Sequence, residues 1–165
     1  MSATAGRPTA WLRCQVNGRA VEREIDVRLL LIEFIRDTLG LKAARIGCLT
    51  GDCGACTVRI DDQVTKACLV LALSAEDRKV TTLEGARDLA AIQQAFVAEN
   101  GFQCGYCTTG MILTVAELLQ SNPDPTDAEI RRALIGNLCR CTGYEPIVAA
   151  VRRASATLQT ATPVD

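Results

Sequence analysis

Apolar residues alternate with polar ones at the start of the chain. Leu12, Cys14 and Val16 fall on every second position, the period of a half-buried strand. Asn17-Gly18 follows, a two-residue hairpin signal because both residues tolerate positive φ. Val21, Ile25 and Val27 keep the alternation on a return strand. At Leu30, Leu31, Phe34 and Ile35 the spacing turns helical, and Gly40 is a stop signal. After a Gly- and Cys-rich loop, Val58 and Ile60 predict another strand, Asp61-Asp62 a turn and Val64 its return. Lys79 to Leu83 reads as a short last strand.

The second half has helical spacing. Leu89, Ile92 and Phe96 share one helix face. Met111, Ile112, Val115, Leu118 and Leu119 make a second face, ended by Asn122-Pro123. Thr126 and Glu129 form a capping box for a third helix, which carries Ile130 and Leu134 and stops near Gly136. Pro146 suits the first turn of a fourth, where its missing N–H is not needed, and Ile147, Val151, Ala154 and Leu158 are its inner stripe. The pattern predicts an α+β chain: a small β-grasp-like sheet over residues 9–84, a four-helix bundle over 85–158 and a flexible tail over 159–165.

Composition narrows the chemistry. Lys+Arg number 18 and Asp+Glu 19, without the basic excess of a nucleic-acid binder. No apolar run reaches the ~18–20 residues of a membrane span. Met1 to Ala10 has no apolar core of a signal peptide, so a cytoplasmic location is expected. Clustered cysteines in a reducing compartment point to metal or redox chemistry rather than disulfides. There is no histidine, which removes Rieske clusters, Cys/His zinc sites and Ser-His triads. Any metal must be held by thiolates.

Cys48, Cys53, Cys56 and Cys68 read C-x4-C-x2-C-x11-C, the plant-type [2Fe–2S] order. An oxidised cluster on four thiolates is a net dianion and needs donors around it. Gly47, Gly51 and Gly54 let a loop wrap closely and turn backbone N–H groups toward sulfur. Leu49, Thr50, Asp52 and Ala55 add no cation, so the backbone is expected to do most of the stabilising. A four-cysteine zinc site is the alternative, although zinc ribbons use two well-separated C-x2-C pairs.

Cys104 and Cys107 read C-x2-C, and Cys139 and Cys141 read C-x-C. The first pair is about one helical turn apart, so both sulfurs are expected on one face of a helix start, where free N–H groups favour thiolates. The second pair cannot share a helix face and is placed on a loop between Gly136 and Gly143. Facing one another, the pairs would make a second four-thiolate site, again with zinc as the alternative. Cys14 is the odd one, a buried inert thiol on the apolar face of the first strand.

Three segments resemble one family. Residues 47–58 (GCLTGDCGACTV) resemble the ferredoxin loop of the molybdenum hydroxylases, the xanthine dehydrogenase and carbon monoxide dehydrogenase family. Residues 103–111 (QCGYCTTGM) resemble the start of its second cluster domain, and residues 136–144 (GNLCRCTGY) its closing loop. The similarity runs from about Leu12 to Leu158. Thr109, where many members carry Pro, departs from the pattern; it is not a ligand position, and only the local turn is in question.

The resemblance implies a plant-type ferredoxin domain followed by a four-helix-bundle domain, each with a [2Fe–2S] cluster. Because the chain ends after the second domain, it resembles the separate small subunit found beside a large molybdenum subunit and a flavin subunit. It further implies that Gln103 and the Cys141 region touch the molybdopterin cofactor of the large subunit. Single electrons would pass from that cofactor through the second cluster, then the first, to flavin or an external acceptor. No residue of the chain is expected to touch substrate, so none is assigned a catalytic role. A free two-cluster carrier is the other electron-transfer reading, and a structural zinc module the third. The substrate, the acceptor and the stoichiometry lie outside what the sequence carries.

Overall fold

Strand β1 (Thr9–Val16) pairs antiparallel with β2 (Arg19–Asp26) in the register set by the Asn17-Gly18 turn, whose two residues have φ of 52° and 76°. The pattern places Leu12, Cys14, Val16 and Ile25 on one buried face, while Trp11, Arg13, Gln15 and Glu24 beside them stay exposed. Against that face lies α1 (Leu31–Glu33), which widens into a π turn over Phe34–Thr38 through the bond from Leu39 N–H to Phe34 O at 3.0 Å. Leu31, Ile32, Phe34 and Ile35 expose no surface at all. Gly40, at φ 73°, ends the segment as expected.

Strands β3 (Thr57–Ile60) and β4 (Gln63–Lys66) form the second hairpin. Strand β5 (Lys79–Thr81) is shorter than the alternation suggests, stopping two residues before Leu83. It inserts centrally, parallel to β1 and antiparallel to β3, giving the mixed order β2-β1-β5-β3-β4. The computed structural model describes residues 6–161.

Beyond the sheet come α2 (Ala90–Ala98), α3 (Thr108–Ser121), α4 (Asp127–Ala133) and α5 (Glu145–Ala161). The predicted stripes meet in one apolar core, in which Ile92, Phe96, Met111, Val115, Ile130, Leu134, Ile147 and Val151 are buried, whereas Leu158, expected on the inner stripe, is exposed. Helix α5 includes residues 159–161, so the start of the expected tail is helical, and the Gln159 amide donates to Pro123 O at 3.0 Å. The rest of that tail lies outside the described residues. No described helix is long and apolar enough to cross a membrane.

The predicted capping box of α4 is present. Thr126 Oγ1 accepts from Glu129 N, and Thr126 N donates to Glu129 Oε2 at 2.7 Å. Thr126→Ala is therefore expected to cost ~1 kcal/mol, read as a lower urea midpoint with unchanged m-value.

Candidate metal centres

Eight of the nine cysteines gather at two places where the sheet meets the helices. Cys48 and Cys53 lie on the loop before β3, Cys56 at its entrance, and Cys68 in a 3-10 turn after β4 (Ala67–Leu69). The hairpin β3/β4 brings Cys68 back over Cys56, which is why eleven intervening residues suffice. The backbone N–H groups of Thr50 and Cys53 donate to Cys48 Sγ at 3.3 and 3.5 Å. Hydrogen bonds from Thr50 and Cys53 bring the Cys48 thiol down to about 6. The Thr50 side chain contributes most to that lowering, and the backbone N–H groups of Cys53 and Thr50 add the anion-seeking role that the glycine-rich loop predicts.

The second group corrects one expectation. Helix α3 starts at Thr108, with Cys107 at its N-cap, and Cys104 stands outside the helix on the preceding loop, which turns at Gly105 (φ 74°). The two sulfurs therefore do not share a helix face. Cys139 and Cys141 lie on a loop between α4 and α5, as expected. Its conformation is held by the Tyr144 hydroxyl, which accepts from Cys139 N at 3.0 Å and donates to Asn137 O at 3.1 Å. Thr109 occupies the first turn of α3, where Pro is also accepted, so the helix start does not depend on that departure.

Within each group the thiols meet two by two. Cys48 contacts Cys53, and Cys56 contacts Cys68. Cys107 contacts Cys139, and Cys104 lies 3.5 Å from Cys141. Among the described residues no three acidic or thiol groups are set as a single-ion site. The inner thiols Cys56 and Cys107 are pushed up to about 12 by burial. Buried thiols of this kind become thiolates only with positive metal beside them. The Thr108 and Thr109 hydroxyls beside Cys107 are buried without a partner, donors available to an anion there. The donor set thus fits iron–sulfur groups. Cys14 is buried in the sheet, its thiol raised by desolvation.

The two groups are stitched together by bonds that spacing along the chain does not reveal. Leu138 N–H, adjacent to Cys139, donates to the carbonyl of Cys53 at 2.9 Å. Arg45 donates to Gly105 O and covers the Tyr106 ring at 5.3 Å. The Tyr106 hydroxyl donates to Ile46 O at 2.8 Å. Lys66 Nζ donates to Gly136 O at 2.7 Å. Leu49, Thr50, Asp52 and Ala55 add no cation, but one reaches the first group from outside that loop. Lys66 comes from β4, outside the cysteine loop, and its ammonium donates to Thr57 Oγ1, next to Cys56, at 3.2 Å. Its position two residues before Cys68 was the available signal.

Gln103 and Cys141, the residues expected to face a cofactor, are both exposed, and so is Cys104 beside them. Phe102, Tyr106 and Leu138 are also exposed.

Comparison with known proteins agrees with this geometry. Residues 14–90 match the 2Fe-2S iron–sulfur cluster binding domain family, and residues 80–152 the [2Fe-2S] binding domain family. The chain is 44% identical over 152 residues to caffeine dehydrogenase subunit gamma of Pseudomonas sp. strain CBB1, covering 88% of this chain and 91% of that one. It is 44% identical over 146 residues to the nicotinate dehydrogenase small FeS subunit of Eubacterium barkeri, covering 87% and 93%. Among solved structures, quinoline 2-oxidoreductase from Pseudomonas putida 86 matches with TM-score 0.86 and 35% identity, over 93% of this chain and 98% of that one. The aldehyde oxidoreductase of Desulfovibrio gigas matches with TM-score 0.84 and 36% identity, over 93% of this chain but 18% of its own. The chain belongs to the small iron–sulfur subunits of the molybdenum hydroxylases and is the electron-transfer subunit of such an enzyme.

Proposed function

We propose that the chain holds two [2Fe–2S] clusters in series and docks its second site against the molybdopterin of a large partner subunit. The first cluster is assigned to Cys48, Cys53, Cys56 and Cys68, the second to Cys104, Cys107, Cys139 and Cys141. The observation that carries this reading is the exposed Cys104–Cys141 pair at 3.5 Å with exposed Gln103 next to it. A thiolate edge open to water is poorly shielded, and a partner's surface would complete its burial.

Each cluster, when bound, supplies a one-electron redox centre. The C-x4-C-x2-C order of the first site suits a two-iron cluster better than a zinc ribbon, which uses two separated C-x2-C pairs. Gln103 can donate and accept at once, the pattern that holding a pterin edge beside Cys141 would require. Electrons enter the chain at the Cys104–Cys141 end and leave at the Cys48 end, toward a flavin on a further subunit or an external acceptor. The Leu138–Cys53 bond joins the two ligand loops directly. The sheet half (9–84) is read as a β-grasp ferredoxin domain and the helical half (85–158) as a four-helix bundle, in a cytoplasmic hetero-oligomer.

The test is to purify the chain with its companions, count iron and sulfide, and record low-temperature EPR after dithionite reduction. About four irons per chain and two distinct rhombic signals are expected, together with molybdenum and flavin in the co-purifying subunits. Zinc without a signal would overturn the reading, and iron without molybdenum would favour a free carrier.

A further inference from the structure

We infer that Lys66 is the counter-cation of the first cluster and tunes its redox potential; this rests on the two-cluster reading above. Lys66 ends β4, immediately before the turn that carries Cys68. Its side chain is partly buried, and its ammonium donates to neutral oxygens only, Gly136 O at 2.7 Å and Thr57 Oγ1 at 3.2 Å. None of the nine ion pairs among the described residues involves it. A partly buried ammonium without a carboxylate needs a counter-charge from elsewhere. Thr57 adjoins Cys56, and Lys66 itself adjoins the turn that carries Cys68, so the ammonium sits against the first site's ligand set.

The two needs answer each other. The Cys48–Cys56 segment contributes no cation to a dianionic group, and Lys66 lacks an acid. A fixed positive charge favours the reduced state, which carries one negative charge more, and does so strongly where the local dielectric is low. Lys66 therefore raises the first cluster's potential relative to the second, drawing the electron toward the exit end. Its bond to Gly136 O also ties it to the loop carrying Cys139, so position and charge act together.

The experiment is an EPR-monitored redox titration of the purified complex, each cluster taking up one electron from added dithionite. The first cluster is identified as the signal that survives Cys139→Ser. In Lys66→Met its reduction equilibrium is expected to fall about tenfold, a downward shift of ~59 mV for one electron, while the second signal holds its midpoint. Lys66→Arg, which keeps the charge, is expected to stay near the parent. An unmoved first midpoint with about four irons retained would overturn the inference, and so would an equal shift of both signals or loss of a cluster in Lys66→Met. A parent complex without two signals would instead overturn the reading beneath it.

Discussion

Changing Cys139 to Ser is expected to halve the iron of the complex's small subunit, from about four atoms per chain to about two. The reason lies in the pairing of the thiols. Cys139 faces Cys107, whose thiol is deep enough to be pushed up to about 12 by burial. Without Cys139 the remaining donors are Cys107 and the surface pair Cys104–Cys141. A serine oxygen is a harder ligand than the thiolate that iron–sulfur groups select. The signal belonging to Cys48, Cys53, Cys56 and Cys68 should persist. Because metal binding and folding are coupled, thermal stability of the helical half should fall as well. Cys14→Ala is the matched control: that thiol is buried in the sheet core and should leave the iron count untouched. Iron analysis with EPR of both variants decides it. Equal losses in the two, or none in either, would contradict the ligand assignment.

The second large effect concerns Gly110, where local and tertiary reasoning disagree in sign. On propensity alone, Gly110→Ala in α3 should stabilise by up to ~1 kcal/mol. In the folded chain a Cβ at position 110 would stand 2.0 Å from the carbonyl oxygen of Gly54 and 3.3 Å from Asn137 Oδ1. Neither obstacle can swing away. Gly54 is itself held at φ 71°, and its carbonyl accepts from Thr57 Oγ1 at 2.7 Å. Asn137 is buried, with its amide donating to Thr114 Oγ1 at 3.0 Å. Relief would require parting the first cysteine loop from α3. The expected cost is ~3 kcal/mol by analogy with overpacked cores. For a chain of this size that is a drop of about 6–12 °C in Tm. An unchanged or raised melting temperature by calorimetry would show that the two halves do not meet as tightly as the Gly54–Gly110 contact requires.

Both cases mark the line between what is short-range and what is not. The strand alternation from Leu12 to Val16, the Asn17-Gly18 turn, the helical stripes and the Thr126–Glu129 cap are each settled within a few residues, so reading the sequence locates them. The cysteine groups are legible for a related reason, since C-x4-C-x2-C and the flanking glycines encode a ligand loop directly. Element ends were less legible. Helix α1 opens into a π turn, β5 ends at Thr81, and α5 continues through residues 159–161, because packing against neighbours decides where a segment stops. The helix start predicted to hold both Cys104 and Cys107 holds only the latter. A two-residue gap permits a helical turn but does not compel one when Gly105 adopts φ 74°.

By itself, the sequence determined the α+β order, the eight thiols in two groups, the exclusion of histidine chemistry and the family. Tertiary structure alone decided which thiols face each other, that Gly110 must be bare, and that Lys66 reaches a carbonyl seventy residues away beside the first group. The physical reason is the range of the forces that decide each. Propensity, turn preference and ligand spacing act within a few residues. A long ammonium side chain, a close backbone contact and a hydrogen bond between two loops depend on which distant segments the buried cores bring together.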